Sequence, residues 1–245
     1  MTSWLKIVGT NHISKDSIDE IKSVFLDYKP DVIAVELDKG RLDGLLYEEN
    51  NPNKKQSMNF SSIRKVGVKG FLFLFFGKLM QQKMGKLVGM KPGSEMLFAV
   101  KLAKNNNLNL ALIDRPITIT IKRLFKNLTF KEKMRFLGDL VFAPFKQKQA
   151  KELQEKTGLD KRSMSSLFSK VPDSELIDKL MFALKGRYPT FYTVLVDERN
   201  HYMARKLVIL HKKNPNQKFL VVVGAGHAKE MIELVKHYSF AIELV

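Results

Sequence analysis

The stretch KFLVVVGAGHAKEM, residues 218–231, narrows the choice of fold for this chain of 245 residues. Phe219–Val223 is a continuous apolar run rich in valine, which is typical of a strand buried on both faces of a sheet. Gly224 and Gly226 follow at once and permit a sharp turn of the backbone. His227 then opens a pattern with helical spacing. The stretch predicts a strand, a glycine turn and a helix, with a histidine held at the turn.

A similar arrangement lies near the N-terminus. Trp4–Val8 is a second apolar run, Gly9 follows it, and His12 comes three residues later. The residues between, Thr10 and Asn11, are short and polar, as expected of a turn. Each of the two predicted strands therefore delivers one imidazole just beyond its carboxyl end.

Further segments complete an α/β pattern. A helix beginning near Ser14 and a strand over Asp31–Glu36 form a βαβ unit with the first strand, so these strands should pair in parallel. We predict additional strands at Leu108–Ile113 and Phe240–Val245, and one long helix over Thr190–Lys212. The sequence thus predicts an α/β fold with a central mixed, mostly parallel sheet flanked by helices.

Two parts of the chain carry no convincing strand pattern. Residues from about 118 to 185 have helical spacing with polar breaks and are too many for a loop, so we predict a large helical insertion within one domain spanning residues 1–245. Ile63–Met90 is basic and aromatic with interspersed glycines. It fits a cover over a cleft, a membrane-surface patch or a dimer patch, so peripheral membrane contact and homo-oligomerisation both stay open. Its apolar core Gly70–Phe76 is far shorter than the roughly 20 residues of a spanning helix.

The net charge is +17, from 42 Lys and Arg against 25 Asp and Glu. The lysines are dispersed as on solvated helix faces, and no motif that reads DNA or RNA accompanies them, so we predict no specific nucleic-acid partner.

The chain has no cysteine, which excludes disulfides and thiolate metal sites and fits a reducing compartment. The first residues show no signal-peptide pattern. We therefore expect a cytoplasmic protein, with association to a membrane surface left open.

Polar residues follow the predicted strands. In open α/β sheets, ligands bind beyond the carboxyl ends of the strands. His12, Glu36, Asp114 with Arg115, and His227 all occupy such positions. Two imidazoles and a carboxylate form the ligand set of hydrolytic zinc, manganese or cobalt sites, although the helical motif H-E-x-x-H is absent.

Each of these residues also has a structural interpretation. A histidine after a strand is often a capping or hydrogen-bonding residue, and Glu36 can cap the next helix or pair with Arg115. On the predicted long helix, Arg199 falls on the apolar stripe and Glu198 on the neighbouring face. Charges near a buried stripe need partners, so we predict that both face the same crevice. An exposed network of i, i+4 pairs is the alternative.

Several segments together carry a family resemblance. In chain order they are GTNHISKDS, KPDVIAVELDKGRL, KPGSEMLFAVKLAK, LALIDRPI, VDERNHYMA and VVVGAGH. With them the chain resembles the TraB/PrgY family, and more broadly the superfamily that includes Tiki, GumN and the erythromycin-esterase (EreA) and ChaN-like folds. The resemblance covers nearly the whole chain and implies an α/β core with helical insertions.

The resemblance also implies an active centre. Its paired Gly-x-x-His motifs, glutamates, arginine and acidic-Arg helix motif map onto His12, His227, Glu36, Glu95, Arg115, Glu198 and Arg199. Tiki-like members are described as metal-dependent proteases that favour manganese or cobalt. TraB and PrgY are tied to shutting down a peptide pheromone signal.

Together these observations predict a metal-dependent hydrolase of a peptide or amide. His12 and His227 would hold Mn, Co or Zn, with Glu36 as a third ligand or general base. Arg115 would stabilise oxyanion charge, and Glu95 would orient a ligand or shuttle a proton. An alternative of a different class is a non-catalytic protein that binds and sequesters a peptide or small ligand.

Overall fold

The fold is given by a computed structural model, which describes residues 3–10, 15–51, 93–136, 138, 182 and 185–243. In chain order the elements are β1 (Leu5–Thr10), α1 (Lys15–Tyr28), β2 (Val32–Val35), α2 (Lys39–Asn50), α3 (Ser94–Asn105), β3 (Asn109–Leu112), α4 (Ile117–Asn127), α5 (Pro189–Tyr192), a π-helical segment (Thr193–Asp197), α6 (Glu198–Lys213), β4 (Phe219–Gly224) and α7 (Ala225–Glu243). Residues 130–136 are helical as well. The predictions for His12, for residues 63–90 and for most of the insertion lie outside the described residues.

The four strands form one parallel sheet in the order β1-β4-β2-β3. This confirms the predicted α/β fold, although β1 and β2, which were expected to pair with each other, are parallel but separated by β4. Strand β4 is central and buried along its whole length, as its continuous apolar run predicts. The register sets Thr10 of β1 opposite Gly224, and Val35 of β2 opposite Val222. The carboxyl ends of these three strands therefore meet at one edge of the sheet.

Helices cover both faces of the sheet. Alternate residues of β4 face opposite sides, so Val221 packs with α6 and α7 while Leu220 and Val222 pack with α1 and α3. The helices contribute buried residues at helical spacing, such as Met203 and Leu207 of α6. Burying each large apolar side chain contributes roughly 1.5–3 kcal/mol. Together the sheet and helices make three layers.

The predicted strand at residues 240–245 is wrong for residues 240–243, which continue α7. The helical stripe begun by Met231 and Val235, both fully buried, extends to Tyr238, which packs against the same core. No glycine or proline separates these residues, so nothing ends the helix. Every strand pairing among the described residues is consequently parallel.

The stretch KPGSEM predicts a turn followed by a helix with Ser94 as its cap and Glu95 in its first turn, and the structure differs in detail. Ser94 is not the helix cap but the first helical residue, and Gly93 occupies the cap position with a φ of 85°. A left-handed φ favours glycine, which explains why a Gly-Ser pair begins this helix. Glu95 lies in the first turn, as predicted.

The predicted long helix is observed as a continuous helical stretch with one irregular turn. Residues 189–213 are helical throughout, but Thr193–Asp197 form a π-helical turn in which the N–H of Glu198 bonds to the carbonyl of Thr193. A π turn adds one residue to the helix and is frequent at functional sites. None of the helices in the described ranges is both long and apolar enough to cross a membrane.

The N-terminal strand is held to α6 by a ring stack. The rings of Trp4 and His211 are 3.9 Å apart with an interplanar angle of 6°, and Phe219 meets both edge-on. His211 Nδ1 is buried, with no hydrogen-bond partner in the described part of the chain. Burial lowers the pKa of His211 below its ordinary value.

This stack gives a pH-dependent stability. Since the pKa of His211 is lower in the folded chain, its contribution is present above about pH 6.5 and is lost as pH falls through the folded pKa. We expect His211→Phe, which keeps an aromatic ring on Trp4, to flatten this part of the pH profile in urea unfolding at about pH 7.5 and about pH 5. The exposed His237→Phe serves as control. An unchanged profile in His211→Phe would contradict the assignment.

Candidate functional site

Glu36 lies at the centre of the charged cluster beyond the strand ends. It directly follows β2, its side chain is 3% exposed, and both carboxylate oxygens have partners. Oε2 accepts the backbone N–H of Gly224 at 2.7 Å, and Oε1 accepts Arg199 Nη2 at 2.5 Å. The carboxylate is thereby fixed against the end of β4, between strand and helix.

Arg199 joins Glu36 to Asp114. Its Nε and Nη2 donate to the two oxygens of Asp114 at 3.0 and 2.8 Å, and its Nη1 donates to the carbonyl of Leu195 at 3.1 Å. Nη1 also lies 3.4 Å from His227 Nε2, so every N–H of this guanidinium faces an acceptor. Burial would lower the pKa of Arg199, but the charges of Glu36 and Asp114 outweigh burial and raise it. The guanidinium of Arg199 therefore stays charged and directs all five of its N–H groups at acceptors within the chain.

A second ion cluster surrounds Glu198. Arg115 Nη1 donates to Glu198 Oε2 at 2.8 Å, and Arg123 donates through Nε and Nη2 at 2.6 Å to both oxygens. The hydrogen bonds from Arg123 lower the pKa of Glu198; burial opposes this, and Arg115 adds to it. The pairing of Arg115 with Glu36 considered above is not formed, because Arg199 takes that place.

Arg115 keeps N–H groups that are not used in this pairing. Its Nε donates to Thr120 Oγ1 and its Nη2 to the carbonyl of Val194, at 3.1 and 2.9 Å. With the bond to Glu198, three of its N–H groups are therefore engaged. A guanidinium has five N–H donors, so Arg115, unlike Arg199, retains donors for a further acceptor.

The imidazole of His227 is oriented by a chain of two side chains. Asn200 Nδ2 donates to Glu230 Oε2 at 2.8 Å, which fixes the amide so that Oδ1 faces His227 Nδ1 at 2.6 Å. An amide oxygen can only accept, so Nδ1 carries the proton. In the neutral ring Nε2 then presents its lone pair, 3.5 Å from Glu36 Oε1.

The structure brings together most of the residues predicted from sequence. Glu36, Arg115, Glu198, Arg199 and His227 lie in the two linked clusters beyond the strand ends. Glu95 is buried in the first turn of α3 and bonds to neither Arg115 nor Arg199. His12 lies outside the described residues. Whether these residues act in a reaction stays a prediction.

Other contributors were missed or only noted in passing. Asp114 was placed beside Arg115 without a role, and four further residues were not predicted: Asn200, Arg123, Glu230 and Arg41, whose Nη1 donates to Asp114 Oδ2 at 3.3 Å. Asn200 could have been predicted, because its spacing from Met203 and Leu207 puts this amide on the apolar stripe of α6, where it is fully buried. The pairings of Arg123 and Glu230 join distant segments and leave no local pattern.

Two of the three predicted metal ligands fit a divalent ion. His227 Nε2 and Glu36 Oε1 are 3.5 Å apart, near the roughly 3.3 Å that separates two donors of one tetrahedral zinc ion. The anchored Nδ1–H of His227 matches the usual second contact of a metal-ligating histidine. In the described ranges no group of three His, Asp or Glu side chains could hold an ion, and His12, the third predicted ligand, lies beyond them. Glu36 Oε1 would share its charge between an ion and Arg199.

Fold and site together define an α/β protein with a parallel sheet and a charged site at the carboxyl ends of its strands, where such folds bind ligands. The chain belongs to the TraB/PrgY/gumN family, which matches residues 2–243. This confirms the family resemblance inferred from the motifs. The finer erythromycin-esterase or ChaN-like assignment stays a prediction.

Relatives occur in archaea and mammals. An uncharacterized protein of Methanocaldococcus jannaschii is 37% identical over 232 residues, covering 94% of this chain and 53% of that protein. TraB domain-containing proteins of Homo sapiens and Mus musculus are each 26% identical over 246 residues, covering 92% of this chain and 61% of each relative. The chain thus spans between about half and three fifths of the length of these relatives.

Proposed function

We propose that the protein is a metal-dependent hydrolase that acts on a peptide or amide bond. The observation that carries this proposal is the pair formed by His227 Nε2 and Glu36 Oε1, 3.5 Å apart at the ends of two adjacent strands. Both groups are buried and individually oriented by the protein, Glu36 by Gly224 and Arg199, and His227 by Asn200. Such preorganisation is what a ligand set for a catalytic ion requires.

His12, Glu36 and His227 would hold the ion, a divalent Mn, Co or Zn. When bound, a divalent ion lowers the pKa of a coordinated water and polarises a carbonyl oxygen. As an alternative to ligating the ion, Glu36 would be the general base that accepts a proton from water, and Arg199 keeps this carboxylate in place. Arg115 would donate its remaining N–H groups to the developing oxyanion. Glu95 would orient a ligand or transfer a proton from its buried position in α3.

The proposal is tested by metal content and by cleavage. Purified wild type, His227→Ala and the matched control His237→Ala, an exposed histidine on the same helix, are loaded with Mn, Co or Zn and measured by mass spectrometry. We expect stoichiometric metal in wild type and control and at least about a tenfold lower affinity in His227→Ala, because a ligand is lost. A peptide library should be cleaved only by the two metal-binding proteins. Near-zero metal in all three would contradict the proposal.

One observation favours a second candidate, a non-catalytic protein that sequesters a peptide or small ligand. Every oxygen of Glu36 and every N–H of Arg199 already has a partner within the chain, as expected of a structural cluster. In that case peptides from the library should bind and be recovered intact from the metal-loaded protein. Cleavage products that disappear in His227→Ala would dismiss this candidate.

A further inference from the structure

A second cluster of reactive side chains lies between α6 and α7, apart from the residues discussed above. His201 Nδ1 and Tyr238 Oη are 2.6 Å apart, and His201 Nε2 lies 3.4 Å from Asp197 Oδ1. Asp197 and His201 are one helical turn apart, and Tyr238 comes from the neighbouring helix. The side chains of His201 and Asp197 are 42% and 37% exposed, so reagents in solution can reach the cluster.

The contacts favour one direction of proton transfer, from Tyr238 to His201. Asp197 Oδ1 forms an ion-pair contact with His201 Nε2 rather than a hydrogen bond, and the negative charge of Asp197 favours the tautomer with the ring proton on Nε2. His201 Nδ1 then presents its lone pair and accepts the hydroxyl proton of Tyr238. A hydroxyl bonded to an imidazole that is oriented by a carboxylate is the arrangement of an activated nucleophile.

Arg205 indicates which electrophile the hydroxyl would meet. Its Cζ lies 4.8 Å from the centroid of the Tyr238 ring, over the face of the ring. In the described part of the chain its guanidinium makes no hydrogen bond, so its planar set of N–H donors is available to an anion. Arginine recognises phosphate oxygens through two parallel N–H bonds. An anionic phosphoryl donor therefore fits this position better than a neutral acyl donor.

We propose that Tyr238 is a nucleophilic acceptor site for a phosphoryl group delivered by a phosphoanhydride or acyl phosphate. Tyr238 Oη attacks phosphorus, the new O–P bond forms, and the bond from phosphorus to the leaving phosphate or carboxylate breaks. The hydroxyl proton passes to His201 Nδ1, and the bonding electrons leave with the departing group. No oxidant or reductant is needed. The site shares no residue with the proposed metal centre, so this proposal can be tested independently of the proposed hydrolase activity.

The test uses two probes that differ in charge, acetyl phosphate and a neutral aryl sulfonyl fluoride, with modification at each tyrosine measured by peptide mass spectrometry. Tyr202 is the internal control, because it is 37% exposed and has Lys206 over its ring but no imidazole at its hydroxyl in the described structure. We expect Tyr238 to react at least about tenfold faster than Tyr202 with both probes. His201→Gln should reduce the rate at Tyr238 to that of Tyr202, and Tyr238→Phe should abolish the label.

Arg205→Gln tests the choice of electrophile. It should slow modification by acetyl phosphate at least about tenfold while leaving the reaction with the neutral sulfonyl fluoride within about twofold, since only the anion uses the guanidinium. An equal loss with both probes would overturn the phosphoryl assignment. A rate at Tyr238 no higher than at Tyr202, or unchanged in a folded His201→Gln protein, would overturn the site itself. Circular dichroism of each variant confirms folding.

Discussion

Replacing Arg199 with methionine should lower the free energy of unfolding by about 3–5 kcal/mol. The variant leaves Glu36 and Asp114, whose side chains are 3% and 4% exposed, without the cation that joins them. Asp114 keeps its ion pair with Arg41 at 3.3 Å, but Glu36 loses its salt bridge to Arg199 and the two buried carboxylates repel one another, so the loss exceeds that of one hydrogen bond. Urea unfolding monitored by circular dichroism measures the effect, with the midpoint and slope compared to wild type.

The matched control is Arg123→Gln. Arg123 also makes two hydrogen bonds to a carboxylate, but its side chain is 50% exposed and Glu198 keeps Arg115 as a partner. Its loss should cost less than about 1 kcal/mol. Neutralising both acids in the Arg199→Met background, by Glu36→Gln and Asp114→Asn, should recover a large part of the lost stability. Equal losses of unfolding free energy in the two arginine variants would show that the ion pairs of Arg199 with Glu36 and Asp114 contribute no more to stability than those of Arg123.

Asn200→Leu should release His227 from its single orientation. The leucine cannot accept the Nδ1–H bond, so we expect a mixture of tautomers in place of the Nδ1–H form and, if the hydrolase proposal holds, about a 10–100-fold loss in metal affinity or cleavage rate. NMR of protein labelled with ¹⁵N-histidine reports the tautomer directly, and His227→Gln identifies its signals by their disappearance. The tautomer readout does not depend on any activity.

Two further variants separate positioning from general damage. Asn200→Asp combined with Glu230→Gln retains an acceptor for Nδ1–H without setting two carboxylates against each other, and should keep Nδ1 protonated. Asn214→Leu changes the same residue type at the exposed C-terminal cap of α6 and should leave His227 unaltered. A predominantly Nδ1–H signal in a folded Asn200→Leu protein would show that the amide does not set the tautomer.

The sheet could be predicted because its strands are short, continuous apolar runs separated by clear turn and helix signals, as at Phe219–Gly224. The predicted strand was wrong for residues 240–243 because an apolar run fits a strand and a helical face equally well. The packing of Tyr238 against the core decides in favour of the helix. The cap of helix α3 was predicted one residue too late. Serine and glycine are both good cap residues, and only the backbone conformation shows that Gly93 rather than Ser94 is the cap.

The location of the site followed from the sequence because parallel strands must end at the same edge. Which arginine pairs with which acid could not be predicted from the sequence. Glu36 pairs with Arg199 and Arg115 pairs with Glu198, although either arginine is chemically suitable for either acid. The choice is made by where α6 lies over the sheet and by how it is rotated about its axis. Neither quantity is encoded in local spacing.

The rotation of α6 about its axis depends on the π-helical turn at Thr193–Asp197. Each residue of an ordinary helix advances about 100° around the axis, so one residue more or less re-aims every side chain that follows. Removal of a single residue here would leave helix and sheet in place yet point Glu198 and Arg199 away from their partners. The rotation of α6 about its own axis therefore sets the geometry of the charged site. A related chain without the additional residue of the π-helical turn would have the same fold but would not form these ion pairs.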